Sequence, residues 1–207
     1  MIIQASAVGS GYSPSVKTIS VEGAAVLSGI VMVAADSAAF IGTSVFAGTL
    51  TVPTATFVGS SSQAGVLNGN ASFDEASNQS GDMIGSATFT GTTFNQGRIT
   101  GDVTFGGSSK NRQDERIHAW GEIGYDFSGG EINGSVVMND YSRNEWTING
   151  NVVMNDSSEN AGTINGNVEV RGSAVNSGTI DGNADVYSPA PNPIGGTVLG
   201  TVTYHGY

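Results

Sequence analysis

Cysteine is absent from this chain of 207 residues, and basic residues are scarce, with seven Lys and Arg against 18 Asp and Glu. Without cysteine, neither a disulfide framework nor a thiolate site can form. The net charge of −11 argues against a nucleic-acid binder, which needs a basic stripe to release counterions from phosphate. The one basic cluster is Lys110, Arg112 and Arg116, and Asp114 and Glu115 dilute it. We expect no nucleic-acid partner, and we interpret the cluster as a solvated outward bulge, with a contact surface as the alternative.

Long apolar runs are also missing. No stretch approaches the roughly 20 apolar residues that span a bilayer, and the most apolar segment, GAAVLSGIVMVAADSAAFIG, is interrupted by Ser, Gly and Asp. The N-terminal stretch MIIQASAVGSGYSPSVK lacks the basic start and long apolar core of a secretory signal. We therefore expect no membrane insertion, and synthesis in a cytoplasm without a signal peptide.

What the chain has instead is a repeat with a step of about sixteen residues. Each repeat opens with an apolar residue and continues as x-Gly-x-Val-x-Met or a close variant. The repeats start at Leu67, Met83, Ile99, Ile117, Ile132, Ile148, Ile164, Ile180 and Val198. A fixed step is typical of a solenoid, in which each coil buries its apolar side against its neighbours. The sequence predicts about nine clear coils from residue 67 onward.

The spacing inside each coil predicts strands. Ile132, Gly134, Val136 and Met138 alternate at period two, which places them on one side of a strand, and no helical period is present. Glycine is abundant, at 31 residues, and only 12% of residues are charged, which is typical of a turn-rich all-β chain. The predicted fold is all-β: a single-stack β-solenoid, or β-helix, with coils of about 16 residues.

Most coils carry an amide four residues before the start. These amides are Gln63, Gln79, Asn95, Gln113, Asn144, Asn160 and Asn176. Stacked amides can hydrogen-bond from coil to coil, so we predict an amide ladder at or near the core. The alternative is that Asn merely suits turns, but Gln, which takes the same position, is a poor turn residue.

Glycine usually stands two residues before the start. These glycines are Gly65, Gly81, Gly97, Gly130, Gly162, Gly178 and Gly196. The pattern indicates a corner with positive φ or a close approach of neighbouring backbones. Glu115 and Trp146 replace glycine in two coils. We interpret Trp146 as a corner aromatic that covers an edge of the core, with an outward contact residue as the alternative.

The best pair of carboxylates for hydrolytic chemistry is Glu169 and Asp185. They occupy the same position in consecutive coils, and we expect them to lie about one strand spacing, ~5 Å, apart. Asp181 is expected nearby on the same outward side. We expect no Arg, Tyr or His beside the pair and a flat surface around it, so we assign no catalytic residues. The two histidines, His118 and His205, are far apart in the repeat. We assign no metal-binding or cofactor-binding residues and no cofactor.

Two further sequence patterns resemble binding sites. Asn139 with Asp140, and Asn155 with Asp156, resemble half of a calcium site, but they lack the Gly-rich spacing of calcium-binding β-rolls. We interpret them as turn residues. Regular Thr on a flat surface would indicate ice binding, but we expect no recurrence of Thr at one outward position across coils.

The first part of the chain carries the repeat only faintly. One coil fits Thr51, Pro53, Ala55 and Phe57, and an earlier one fits Ala35, Ser37, Ala39 and Ile41. Residues 1–34 break the pattern, and we interpret them as an atypical N-terminal cap or attachment segment that stops edge-to-edge growth. The predicted domains are therefore residues 1–34 and the solenoid of residues 35–207.

The repeats resemble the β-solenoid repeats of structural proteins of tailed bacteriophages, particularly tail-fibre and capsid-decorating proteins. The strings GNASFDEASNQSGDMIGSATF and INGNVVMNDSSENAGTINGNV carry the resemblance, which covers about residues 60 to 207. Similar coils occur in bacterial adhesins and bactofilin-type filaments. The resemblance implies no catalytic motif.

The resemblance implies a non-enzymatic virion structural protein, a fibre or capsid decoration that docks through its N-terminal segment and projects the solenoid. The expected partners are like chains in a homo-oligomer, with a trimer favoured, and a capsid or tail protein; a host-surface glycan is a further candidate. The expected location is the virion. Two alternatives stay open: a bacterial filament or surface adhesin, and a glycan-degrading β-helix enzyme.

Overall fold

The computed structural model describes residues 2–8, 15–28, 30–31, 35–112 and 130–206. In this part of the chain every regular element is a β-strand, and the strands stack in parallel as a β-solenoid of about ten turns. Each complete coil contributes three short strands, which we call faces 1, 2 and 3 in chain order. The predicted all-β solenoid with a step of about sixteen residues is therefore confirmed.

The strands of each face pair in parallel with those of the next coil. Face 1 contains Ile30–Val31, the first parts of Thr49–Gly59 and Val66–Phe73, Asp82–Ile84, Arg98–Thr100, Ile132–Asn133, Thr147–Asn149, Thr163–Ile164, Thr179–Ile180 and Thr197–Val198. Face 2 contains Ser15–Gly23, Ala35–Gly42, the second parts of Thr49–Gly59 and Val66–Phe73, Ala87–Phe89, Val103–Phe105, Val136–Met138, Val152–Met154, Val168–Arg171, Ala184–Tyr187 and Val202–Tyr204. Face 3 contains Val26–Leu27, Val45–Phe46, Ser62–Gln63, Asn78–Gln79, Phe94–Asn95, Lys110–Asn111, Arg143–Asn144, Glu159–Asn160 and Val175–Asn176.

The core consists of side-chain columns that run along the stack. Ile148, Val152 and Met154 are almost fully buried, as the period-two pattern predicts. One column is aromatic: the rings of Phe40, Phe57, Phe73, Phe89 and Phe105 stack at centroid distances of 4.7 to 5.0 Å. Stacked rings bury a large apolar surface in one narrow column.

Two neighbouring columns of face 2 point into the core, and their residue sizes vary along the stack. Where the aromatic column has Phe57 or Phe73, the neighbouring inward residue is Ala55 or Ala71. Where that column changes to methionine, as at Met154, the neighbour is Val152. The sizes do not compensate in every coil, because Phe105 lies beside Val103 and Val186 lies beside Ala184.

Amides stack inside the core on face 3, as predicted, but with one different member. The inner ladder, as we call it, consists of Asn95, Asn111, Asn144, Asn160 and Asn176, with Nδ2-to-Oδ1 distances of 2.6 to 2.8 Å between successive residues. All five are fully buried. The predicted member Gln113 lies outside the described residues, and Asn111 holds its place because it pairs with both Asn95 and Asn144.

The two glutamines at the N-terminal end of this column bind backbone atoms instead. Gln63 Nε2 donates to Gly65 O at 2.7 Å, and Gln79 Nε2 donates to Gly81 O at 2.6 Å. Gln79 Oε1 also accepts from the N–H of Gly97. Asn144 and Asn176 also donate to the backbone oxygen two residues further on, but the amide-to-amide hydrogen bonds begin at Asn95.

The predicted coil at Ile117 lies in a part of the chain that the structure does not describe. Ile117, Glu115 and His118 lie outside the described residues, and Ile99 pairs directly with Ile132. Among the described strands, the one after Arg98–Thr100 on face 1 is therefore Ile132–Asn133. The described chain from residue 67 onward has eight coils, where nine were predicted.

The N-terminal coils differ from prediction in register. Ala38 and Phe40 point inward, whereas the predicted inward residue Ile41 is 42% exposed. The cause is the step, which is 17 residues from Phe40 to Phe57 instead of 16.

The next coil contains one extra residue in the strand Thr49–Gly59. Because of this bulge between Thr51 and Thr54, Leu50 and Val52 point inward, and the predicted Thr51 and Pro53 are exposed. The predicted inward positions of Ala55 and Phe57 are confirmed.

The parallel stack already begins within residues 1–34. The strand Ser15–Gly23 pairs in parallel with Ala35–Gly42, so it forms part of face 2. The strand Ile2–Val8 instead lies antiparallel to Ser15–Gly23, and it is the strand that departs from the solenoid pattern.

The corner glycines mark close contact between coils. A Cβ atom on Gly81 would lie 2.0 Å from Gly65 O, and one on Gly162 would lie 2.1 Å from Trp146 O. Real Cβ atoms do not approach that closely, so these positions require glycine. The side chain of Trp146 at the corresponding corner is half-buried.

Candidate functional site on the outer side of face 2

Glu169 and Asp185 lie side by side on the outer side of face 2. They are direct partners in the parallel pairing of Val168–Arg171 with Ala184–Tyr187, as predicted from their position in the repeat. Glu169 is half-buried and Asp185 is exposed. Asp181 does not join them: it directly follows the face 1 strand Thr179–Ile180, so it belongs to a different side of the coil.

Contrary to the sequence-based expectation, Arg, His and Tyr surround the pair. Arg171 Nε lies 2.6 Å from Glu169 Oε1, and His205 Nε2 lies 3.0 Å from Asp185 Oδ1. The ring of Tyr187 stacks on that of His205 with centroids 4.2 Å apart. The last coil is two residues longer than the standard step, so its strand Val202–Tyr204 aligns with Ala184–Tyr187 and brings His205 to the pair.

The backbones of the two acidic residues lie one strand spacing apart, about 4.8 Å, which is close to the separation of about 5–5.5 Å between the carboxyl groups of retaining glycosidases. Each carboxylate, however, is paired with a neighbouring nitrogen of Arg171 or His205, and the pairs are largely exposed. A general acid needs an environment that keeps it protonated, and a nucleophile needs a bound sugar within reach. The site therefore has the residue types that a glycosidase uses, but they lie on an open strand surface.

The two Asn-Asp segments form turns between faces 2 and 3, as predicted. Asp140 and Asp156 have φ angles of 55° and 56°. Asp140 Oδ2 accepts from the N–H of Gly107, and Asp156 Oδ2 accepts from the N–H of Asp140. These carboxylates thus bind the backbone of the preceding turn. Among the described residues, no group of three or more His, Asp or Glu side chains is placed to hold a metal ion.

The basic cluster lies in the stack and not in a bulge. Lys110–Asn111 is a face 3 strand, and Lys110 Nζ and Arg143 Nε lie 3.6 Å and 3.2 Å from Glu145 Oε1. The guanidinium of Arg112 lies 3.9 Å from the centroid of the Phe94 ring. Arg116 lies outside the described residues. The described members are engaged with neighbouring side chains of the same face.

Threonine does recur at one outward position, contrary to expectation. Thr147, Thr163, Thr179 and Thr197 pair in register on face 1. Aligning the coils on the residue before each start reveals this column in the sequence. A β-branched residue fits an outward strand position, and this preference alone accounts for the column.

No family model matches the chain, and neither the curated proteins nor the solved structures contain a match. Among the described residues, the structure contains no helix that is long and apolar enough to cross a membrane.

Proposed function

We propose that the protein is a non-enzymatic structural protein of a virion, a fibre or capsid decoration that projects the solenoid from a particle. The observation that carries the proposal is the continuity of the side-chain columns along the stack. The inner ladder and the aromatic column each span five coils without a gap. Such columns make a stiff rod of defined length, which suits a projecting element.

The outer surface also supports this proposal. The turns and side chains that resemble binding sites bind other parts of the same chain, as Asp140 and Asp156 do. The resemblance of the repeats to those of tailed-phage structural proteins points in the same direction. In this proposal the chain forms a homo-oligomer, with a trimer favoured, and its N-terminal segment docks on a capsid or tail protein.

The antiparallel strand Ile2–Val8 is the part of that segment that departs from the stack, so we place the docking contacts there. A variant without residues 1–14 tests this placement, because it keeps the coil strands Ser15–Gly23 and Val26–Leu27. We expect it to stay folded by circular dichroism but to be missing from purified particles. Normal incorporation of this variant would contradict the docking role.

The proposal as a whole is tested on particles from a host that carries the gene. Antibodies against the chain should detect it in gradient-purified particles at a fixed ratio to the main capsid protein. Recovery of the chain only in filaments or in the cell envelope would favour the filament or adhesin alternative. Mass photometry of the purified chain then measures the oligomeric state, for which three times the chain mass is expected.

A glycan-degrading enzyme is the second candidate, because Glu169, Asp185 and His205 lie together. It predicts that the protein releases reducing sugar from a polysaccharide panel and that both Glu169→Gln and Asp185→Asn abolish the release. Asp181→Asn is the control, since Asp181 lies on face 1. Under the structural proposal the unmodified protein releases none.

A further inference from the structure

A second amide ladder runs along the outside of face 1. Asn149 Nδ2 donates to Asn133 Oδ1 at 2.8 Å, and Asn165 Nδ2 donates to Asn149 Oδ1 at 2.7 Å. We call Asn133, Asn149 and Asn165 the outer ladder. Each of these asparagines is followed by a glycine, so the ladder is also a column of Asn-Gly pairs.

Asn-Gly is a reactive pair because glycine has no side chain to hinder its backbone nitrogen. That nitrogen attacks Cγ of the asparagine, a new N–Cγ bond forms, the Cγ–Nδ2 bond breaks, and ammonia leaves with the proton from the glycine N–H. Water then opens the cyclic imide at either carbonyl, which gives aspartate or isoaspartate. The net reaction is hydrolysis of the amide, and water is the only co-reactant.

The attacking nitrogen is less engaged in the outer ladder than in other coils. Gly85 N–H donates to Thr100 O at 3.0 Å, and Gly101 N–H donates to Asn133 O at 3.1 Å. Within the described ranges, no hydrogen bond engages the N–H of Gly150 or Gly166. The nucleophile is therefore unpaired in both coils of the outer ladder that share the sequence Thr-Ile-Asn-Gly-Asn.

The two asparagines of these coils differ in how firmly their amides are held. Asn149 Nδ2 donates to Asn133 Oδ1 and to Glu131 Oε1, and Asn149 Oδ1 accepts from Asn165. The side chain of Asn165 makes one hydrogen bond, from its Nδ2 to Asn149 Oδ1, and the residue is exposed. The next position along the column is Asp181, whose carboxylate has no N–H to donate to Asn165 Oδ1.

We propose that Asn165 is a site of spontaneous modification, at which the folded protein converts the amide to aspartate or isoaspartate, and that the outer ladder protects Asn149 from the same reaction. Cyclisation requires the amide to turn toward the glycine nitrogen, and each hydrogen bond to the amide opposes that turn. The modified residue then stands next to Asp181 as a second carboxylate. Isoaspartate also lengthens the backbone by one atom within a closely packed coil.

The chain provides its own matched control, because residues 147–151 and 163–167 have the same sequence. The full-length protein is incubated at mildly alkaline pH, and peptide mapping by mass spectrometry measures conversion at both sites. In the folded protein we expect Asn165 to react faster than Asn149, by about two- to tenfold for each of the two additional hydrogen bonds that hold the amide of Asn149. In denaturant the two rates should converge, since only the fold distinguishes the sites.

The variant Asp181→Asn tests the cause. An amide at position 181 can donate to Asn165 Oδ1 and extend the outer ladder by one coil. We expect the rate at Asn165 to fall toward that of Asn149 and the new Asn-Gly pair at position 181 to become the reactive one. Equal rates at Asn149 and Asn165 in the folded protein would overturn the proposal, as would an unchanged rate at Asn165 in this variant.

Discussion

At the scale of single residues, the inner ladder places fully buried amides in a core that also contains buried hydroxyls, such as Ser142 and Ser158. A buried amide without partners is costly, but the three middle rungs, Asn111, Asn144 and Asn160, each donate to the next rung and accept from the previous one. The hydrogen bonds of Asn144 and Asn160 therefore depend on the neighbouring coils being present and in register. This column specifies the register as well as contributing to stability.

Replacing Asn160 with Leu should lower the free energy of unfolding by about 1–3 kcal/mol, because Asn144 and Asn176 lose a buried partner. The matched control is Asn165→Leu in the exposed outer ladder, which should cost within about 0.5 kcal/mol. Asn151 is a poor control, although it is exposed, because its Oδ1 accepts from the N–H of Asn167. Chemical denaturation measures both variants, and equal midpoints would contradict a stabilising inner ladder.

Asp74 gives a pH-dependent prediction at the same scale. Hydrogen bonds from the N–H of Glu75 and then from Thr90 Oγ1 hold the pKa of Asp74 below its ordinary value. Because the pKa is lower in the folded state, the contribution of these bonds is present above the unfolded-state pKa. It is lost as the pH falls through the folded-state pKa. In Thr90→Val, an NMR titration should place the pKa of Asp74 closer to its ordinary value, and an unchanged pKa would contradict a role for the hydroxyl.

At the scale of elements, a coil is three short strands joined by corners that allow very close approach. A Cβ atom on Gly150 would lie 2.1 Å from Gly134 O, whereas one on Gly106 would meet nothing nearer than 3.4 Å. The two glycines therefore have different roles. Gly150 is required by the stacking of coils, and Gly106 lies in a turn with room for a side chain.

Gly150→Ala should accordingly destabilise the protein strongly, by about 3 kcal/mol or more, since two backbones must move apart. Gly106→Ala is the control and should change stability by less than about 1 kcal/mol. Thermal unfolding followed by circular dichroism compares the two. Similar melting temperatures would mean that the corner can relax without cost.

Elements with the standard step could be predicted from the sequence, and so could the last coil, in which Val198 pairs with Ile180 despite the longer step. Ile148, Val152 and Met154 point inward as predicted because their coils are 16 residues long. The step of 17 residues at Phe40 made the predicted register of the N-terminal coils wrong. The step of 33 at Ile99 left the register intact, but an additional coil at Ile117 was predicted within it.

The candidate site was partly predictable for the same reason. The adjacency of Glu169 and Asp185 follows from the standard step. His205 was missed because it lies beside Tyr187 and reaches Asp185 diagonally across two coils, and Arg171 was missed because it reaches Glu169 along the same strand. An alignment of coils compares equivalent positions in successive coils, so it does not reveal a contact between two residues of the same strand.

At the scale of the whole molecule, the protein is a rod whose length is set by the number of coils. About ten turns at roughly 4.8 Å each give a rod of about 48 Å. In a solenoid each coil contacts only its neighbours, so stability is distributed along the stack. Removal of one whole coil should therefore shorten the rod without changing its architecture.

Deletion of residues 148–163 tests this expectation, because it joins Thr147 to Ile164 and preserves every column. We expect a cooperatively folded protein about 5 Å shorter by small-angle X-ray scattering. The control deletes residues 148–164, which leaves a coil one residue short and places Asn165 where Ile148 pointed inward. Cooperative unfolding of the control at the same temperature would contradict the importance of register.

The direction of the hydrogen bonds between coils has a mechanical consequence. They run along the rod, from Asn165 N–H to Ile148 O and from Asp181 N–H to Ile164 O. A force that pulls the two ends apart therefore loads them one coil at a time, like a zipper, and not all at once in shear. Each coil that peels away releases sixteen residues, or roughly 50 Å of extended chain. Under tension the stretches of 16-residue coils would lengthen in equal steps at nearly constant force. The rod would thus absorb mechanical work by unfolding coil by coil.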